Sequence, residues 1–225
     1  LYPNLIVQSN MSPETLVGTK EPHGVGYYLN LQENVESEYY RYAVAANGSV
    51  YSRKNQGILP MIIEAYYEER KVIKREMLTA QQEYEKTKTV ELERQINQLE
   101  NRQMAIKILL NSLYGAIGNR HFRYFDIRIA EGITLSGQLA IQWAERAINK
   151  ELNNILKTED VDYVIAIDTD SLYINFGPFI EKLKPEDPVK ALDKICGDHF
   201  EKILAASYQD LADKTNAYKN RMVMA

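Results

Sequence analysis

Two long stretches of the chain repeat apolar residues at the period of an α-helix. From Pro60 onward, Ile63, Tyr66, Arg70, Ile73, Met77, Ala80 and Tyr84 recur in steps of three and four. The polar link Thr87-Lys88-Thr89 interrupts the pattern. A second run then follows through Leu92, Ile96, Leu99, Gln103, Ile106, Leu110 and Leu113. Alternating steps of four and three make a heptad seam. Two helices of this length with so short a link predict an antiparallel pair. The charges between the seam positions are of both signs and read as a solvated face.

A third helical pattern covers residues 127–157, with Trp143 on its apolar side. Val161–Ile167 and Leu172–Phe176 are rich in β-formers and flank Asp168-Thr169-Asp170-Ser171, which predicts a hairpin with an acidic tip. Tyr42–Ala46 and Ser49–Ser52 flank Asn47-Gly48, a second hairpin signal. Asn47-Gly48-Ser49 also spells a glycosylation acceptor, but the turn reading is preferred. Residues 1–10 read as a short helix with Pro3 in its first turn. Ser12–Thr15 then punctuates, and residues 16–60 are rich in Gly, Tyr and turn formers. Residues 185–208 read as a last helix, and Arg221–Ala225 as the start of a strand. The expected class is α+β: an antiparallel sheet with packed helices, plus a long helical hairpin.

The 225 residues suffice for one sizeable core or two modest ones. A formal charge of −4 is not the basic balance of a self-sufficient DNA-binding domain. A grip on nucleic acid would need a local basic patch or help from elsewhere. No apolar run is long enough for a bilayer, so no membrane partner is expected. The single cysteine, Cys196, excludes an internal disulfide and fits a reducing, cytoplasmic setting. It reads as a small buried hydrophobe rather than a nucleophile. His23, His121 and His199 show neither ligand spacing nor a paired carboxylate. The tyrosines are mostly packing, although Tyr39, Tyr40 and Tyr42 could face nucleic acid.

Four groups of residues could carry chemistry. Asp168 and Asp170 stand two apart, so in an extended chain they project to one side, with Thr169 turned away towards packing. Carboxylates so placed suit a hard divalent cation; Asp is also simply common in turns. Lys107, Asn111 and Tyr114 fall on one stripe of the second long helix. They offer a cation for phosphate, an amide and a flat ring, followed by the bare backbone of Gly115. An ordinary helix with a solvated Lys and a core Tyr is the plainer alternative. Arg70 and Lys74 form a similar stripe, and antiparallel packing brings Arg70 level with the neighbourhood of Lys107. Finally, the N–H groups of Leu1 and Tyr2 open a helix and favour anions, and the Tyr2 ring could floor a sugar or fill a core.

Together these segments resemble the palm and fingers of a family B DNA polymerase, most closely the replicative enzymes of T4-like bacteriophages. Leu1-Tyr2-Pro3-Asn4 is similar to the tail of the family's first motif. Lys107–Gly115 matches Lys-x-x-x-Asn-Ser-x-Tyr-Gly at each fixed position, and Asp168-Thr169-Asp170-Ser171 matches the core of the third. The resemblance extends over essentially the whole chain. It implies palm over 1–59 and 111–225, and fingers over 60–110. It implies Asp168 and Asp170 as catalytic ligands of Mg2+ in a two-metal site. It further implies that Leu1, Tyr2, Arg70, Lys74, Lys107 and Asn111 bind the incoming dNTP, and that Tyr114 and Gly115 line the nascent base pair. Primer–template DNA and the rest of a polymerase would be the partners.

Two departures stand out. The first-motif Asp would lie before Leu1, so the chain is expected to be a piece truncated at both ends and inactive alone. Ala166-Ile167 also replaces the family's usual Tyr-Gly, which puts primer grip or fidelity in question. An RNA-synthesising palm enzyme and a non-catalytic coiled-coil interaction module are the competing readings.

Overall fold

The computed structural model describes residues 1–19, 24–30 and 41–223. His23, Tyr39, Tyr40 and the last two residues of the expected C-terminal strand lie outside the described residues. Helix α1 (Tyr2–Gln8) has Pro3 in its first turn and buries Leu5, Ile6, Val7 and Gln8. Strands β1 (Leu16–Thr19), β2 (Tyr42–Val44) and β3 (Ser49–Ser52) form an antiparallel sheet in the order β1-β3-β2. The β2–β3 turn is the expected Asn47-Gly48, and Gly48 takes the left-handed φ of 83° that favours glycine. A short helix, α2 (Val25–Leu29), lies between β1 and β2.

The two long helices are α3 (Ile58–Thr87) and α4 (Val90–Ile117). Every one of the fourteen seam residues predicted from the repeat is buried or half-buried. Lys88 turns the chain in the left-handed region at φ 50°, and Thr89 opens α4. The register follows from two contacts. Arg70 Nε donates to Gln103 Oε1 at 3.3 Å, and Arg102 pairs with Glu69 at 2.6 Å. The helices are therefore antiparallel with residue 70 level with residue 103.

Helix α5 (Ile127–Leu156) is the axle of the molecule, with twelve buried residues from Ile129 to Leu152. Its N-cap, Asp126, accepts from the Arg128 N–H at 2.9 Å. One apolar cluster joins α1, β3 and the roots of α3 and α4 to Ile129 and Ile133 of α5. The other joins Leu139, Ala144, Ile148 and Leu152 of α5 to Leu5, Tyr28 and Val50 on the N-terminal side and to Phe179, Phe200 and Leu204 on the C-terminal side. Strands β4 (Val164–Asp168) and β5 (Ser171–Ile174) form the acidic hairpin; among the described residues they pair only with each other. The expected sheet is thus two small ones.

The expected helix over 185–208 is revised. Helix α6 (Gly177–Leu183) precedes it, α7 (Pro188–Ile195) begins at Pro188 behind an Asp187 cap, and α8 (Glu201–Lys214) runs past Tyr208. A π-helical turn, Cys196–Phe200, joins α7 to α8. Its wider winding lets Leu192, Ile195 and Cys196, then Phe200, Leu204 and Tyr208, all reach the same core. The expected strand is not formed at 221–223. The backbone there is held by α1 instead: Tyr218 N–H and Lys219 N–H donate to the Gln8 carbonyl, and Arg221 N–H to Gln8 Oε1. Among the described residues no helix is long and apolar enough to cross a membrane.

Candidate functional site

The acidic tip is built differently from the extended-chain expectation. Asp168 ends β4 opposite Ser171, so Thr169 and Asp170 are the two loop residues of a tight hairpin. Thr169 sits at φ 49°, and the Asp170 N–H donates back to the Asp168 carbonyl. That is a γ-turn of the rare positive-φ kind, a costly state for a β-branched residue. Asp168 and Asp170 therefore converge by reversal of the chain and not by pleat. Thr169, expected to pack inward, is exposed, and its hydroxyl donates to Asp168 Oδ1 at 3.1 Å. Asp168 and Asp170 are both exposed.

The start of the chain joins this tip to α4. The Tyr2 ring stacks on Tyr114, with centroids 4.3 Å apart and planes 23° off parallel. Tyr114 Oη lies 2.8 Å from Thr134 Oγ1 of α5, and Thr134 donates its own proton to the Ala130 carbonyl at 3.0 Å. With that proton committed, Tyr114 is the donor to Thr134. A cleft of about 520 Å³ runs from Leu1 and Tyr2 past Thr134, Gln138 and Gln142 to Ile167 and Thr169. A smaller cavity of about 150 Å³ lies beside it, where Leu1 and Asn4 meet Thr169, Asp170 and Tyr208. Burial pushes the Tyr2 phenol above its ordinary range, with Tyr114 and the Asp170 carboxylate adding to the effect. Burial, then Asp170, pushes Tyr208 up to about 12.

On the arm, Lys74, Lys107, Asn111 and Tyr114 each follow a seam residue, respectively Ile73, Ile106, Leu110 and Leu113. In an antiparallel pair these positions fall on one flank, and Tyr114 turns that flank towards Tyr2. Arg70 lies on the seam itself, half-buried against Gln103. The expected levelling of Arg70 with Lys107 is offset by four residues, about 6 Å along the axis. Two glutamates beside them are engaged elsewhere: Glu69 with Arg102 and Glu68 with Lys71. Among the described residues Lys74 and Lys107 have no ion-pair partner, and both are exposed. Gly115 is exposed, with open space where a Cβ would stand. Ile167, half of the substituted dipeptide, lines the cleft and is 38% exposed.

Among the described residues no three or more His, Cys, Asp or Glu side chains cluster to hold a metal ion. The acidic pair stands by itself. One histidine expectation is overturned: His199 Nε2 meets Glu151 Oε1 at 2.7 Å, a pairing across α5 and the π-turn that sequence spacing cannot reveal. Cys196 is half-buried, and burial raises its thiol pKa, as suits a packing residue. Asn4, Thr134, Gln138 and Tyr208 were not foreseen. Each is a polar residue on a helix, from the exposed Gln138 to the buried Tyr208, a pattern too common to single out from sequence.

Tyr2 and the turn of the acidic hairpin thus border one cleft, and the helical arm reaches Tyr2 through the stacked ring of Tyr114. The model of DNA polymerase family B matches residues 1–184, and the chain belongs to that family. It is 32% identical, over 271 aligned positions, to the DNA-directed DNA polymerase of Enterobacteria phage T4, covering all of this chain and 30% of that protein. For the DNA-directed DNA polymerase of Escherichia phage RB69 the identity is 31% with the same coverage. The DNA polymerase delta catalytic subunit of Drosophila melanogaster is 30% identical over 79% of this chain and 15% of its own length. The chain therefore spans under a third of the length of these relatives.

Proposed function

We propose that the chain carries the palm and fingers of a DNA-directed DNA polymerase acting in replication, in a cytoplasmic setting, with palm over 1–59 and 111–225 and fingers over 60–110. The observation that carries this reading is the position of Tyr2. Its ring stacks on Tyr114 of the second motif, and it lines one cleft with Ile167 and Thr169 of the third. Three segments far apart in sequence meet at one aromatic side chain.

The residues fit the roles as follows. Asp168 and Asp170 are hard oxygen donors, both exposed at the turn beside the cleft; Mg2+ commonly binds through one or two such carboxylates together with substrate phosphates. When bound, the metal pair supplies charge neutralisation on the entering and leaving oxygens of phosphoryl transfer. Lys107 and Lys74 project positive charge from the flank that faces Tyr2, and Asn111 adds an amide. Arg70 joins them from the seam. These groups suit a triphosphate. Leu1 and Tyr2 form the floor under the sugar, where the Tyr2 ring leaves no room for a ribose 2′-hydroxyl. Tyr114 and Gly115 present a ring and a bare backbone to the nascent base pair. The reaction is attack of a primer 3′-hydroxyl on the dNTP α-phosphate, directed by a template strand.

Nucleotide choice tests the reading. In the complete natural protein, Tyr2→Ala is expected to raise the ratio of rNTP to dNTP incorporation by about tenfold or more. An unchanged ratio sinks the assignment of Tyr2 and, with it, the DNA-making specificity. The isolated 225-residue chain is expected to give negligible Mg2+-dependent primer extension, because two carboxylates alone hold the metals weakly. Robust synthesis by the chain alone would contradict this.

A further inference from the structure

The cavity beside the acidic turn has a use the roles above do not supply. Tyr208 of α8 is 2% exposed, and its hydroxyl has no hydrogen-bond partner among the described residues. The ring is packed while the oxygen keeps a small opening to solvent, so water is its natural partner. Tyr208 lines a cavity of about 150 Å³ together with Asn4 and Asp170. The Asn4 amide and the Asp170 carboxylate likewise have no side-chain hydrogen-bond partner among the described residues. Three residues with unused polar capacity thus line one small space. Two can donate, the phenol O–H and the amide N–H, and one can only accept. The space is ample for water with this many polar neighbours.

We propose that Tyr208 and Asn4 are positioning residues for Asp170, holding its carboxylate from behind through water in this cavity. The inference rests on the reading of Asp170 as a metal ligand. An exposed carboxylate on a two-residue loop has several rotamers open to it. A donor network on its cavity side selects one and leaves the other oxygen for the metal. Ligating carboxylates are commonly held in this way, and loss of the outer partner costs about 10–100-fold in metal affinity or activity. Tyr208 is well suited to the task. It comes from the core-buried face of α8, so its position is fixed by packing while the loop's is not.

The test is Tyr208→Phe in the complete natural protein, a change that keeps the ring and removes only the hydroxyl. Mn2+ binding, followed by electron paramagnetic resonance without nucleotide, is expected to weaken about tenfold. The Mg2+ midpoint for primer extension rises in step, while the dNTP KM and the thermal unfolding midpoint stay as in the parent. Asn4→Ala, outside the core, shifts Mn2+ binding in the same direction. Tyr163→Phe is the control: that hydroxyl is already bonded to Thr158 at 2.8 Å, and metal binding is unchanged. If Asp170→Asn weakens Mn2+ binding but Tyr208→Phe and Asn4→Ala do not, the positioning role is refuted and the metal site stands. If Asp170→Asn has no effect either, the metal reading falls and this inference falls with it.

Discussion

The helical arm α3–α4 and the acidic ribbon β4–β5 are both antiparallel hairpins, yet they spend their side chains in opposite ways. The arm buries a continuous seam and, Arg70 apart, leaves its candidate nucleotide-binding residues on one flank. The ribbon buries Val164 and leaves the rest of β4 exposed, so its chemistry sits on a tip supported from one side only. In the arm, a helical period repeated over many turns fixes both burial and register. In the ribbon, two loop residues decide where the carboxylates go, and no period speaks for them. The arm's exposed cations, Lys74 and Lys107, lie off its seam, whereas at the ribbon's tip the fold of the turn and the placing of the carboxylates are one object.

That contrast can be broken at four points. The largest effect belongs to the tip. Asp170→Asn in the complete natural protein is expected to cut primer extension by about three orders of magnitude. The same change leaves unfolding free energy within about 0.5 kcal/mol, because the side chain is exposed. A large loss of stability would show the tip to be structural. Next comes the seam: Ile106→Ala should cost about 3 kcal/mol in urea unfolding, since Ile106 is only 7% exposed and its removal leaves a cavity. Mn2+ binding at the ribbon should be unaffected, and a loss there would couple two regions taken here as separate.

A smaller effect is expected at the head of α5. Asp126→Ala removes an N-cap and should cost about 1 kcal/mol. The Arg128 side chain, bonded to Asp126, holds this carboxyl below its ordinary pKa, and backbone N–H bonds add to that. The folded pKa lies below the unfolded one, so the stabilisation is present above the unfolded value and fades as pH falls through the folded value. Stability curves of parent and variant should therefore converge in acid. Equal separation at every pH would remove the electrostatic part of the cap. The smallest effect is at Thr169: Thr169→Gly relieves the left-handed backbone and should gain about 0.5 kcal/mol, after the extra freedom of glycine in the unfolded chain is deducted. A loss instead of a gain would mean that the Thr169–Asp168 hydrogen bond outweighs the strain.

The same contrast explains what could be read in advance. The fourteen seam residues, the Asn47-Gly48 turn and the span of α5 follow from period and turn chemistry, and each lies where those rules put it. The pair Asp168 and Asp170 was legible as a pair but not as a shape, because alternation was assumed where the chain reverses. Tyr2 was ambiguous from sequence alone, floor or core, and only its stack on Tyr114 gives it a place. The π-turn could not be foreseen, since it answers to the combined demand of α7 and α8 on one core. The His199–Glu151 pair escaped for a related reason: its partners are 48 residues apart and meet only through tertiary packing.

A ribbon of two strands has two open sides. Among the described residues β4 and β5 each have one neighbour, so a row of N–H and C=O groups on each outer side is unclaimed by any strand. Ile165 is 71% exposed and Tyr173 54%, so the ribbon also carries sticky side chains outward. Such a margin invites a further strand to dock, from whatever chain is at hand. The element that bears the acidic pair is therefore also an open edge, and self-association of the isolated chain is expected to rise with its concentration.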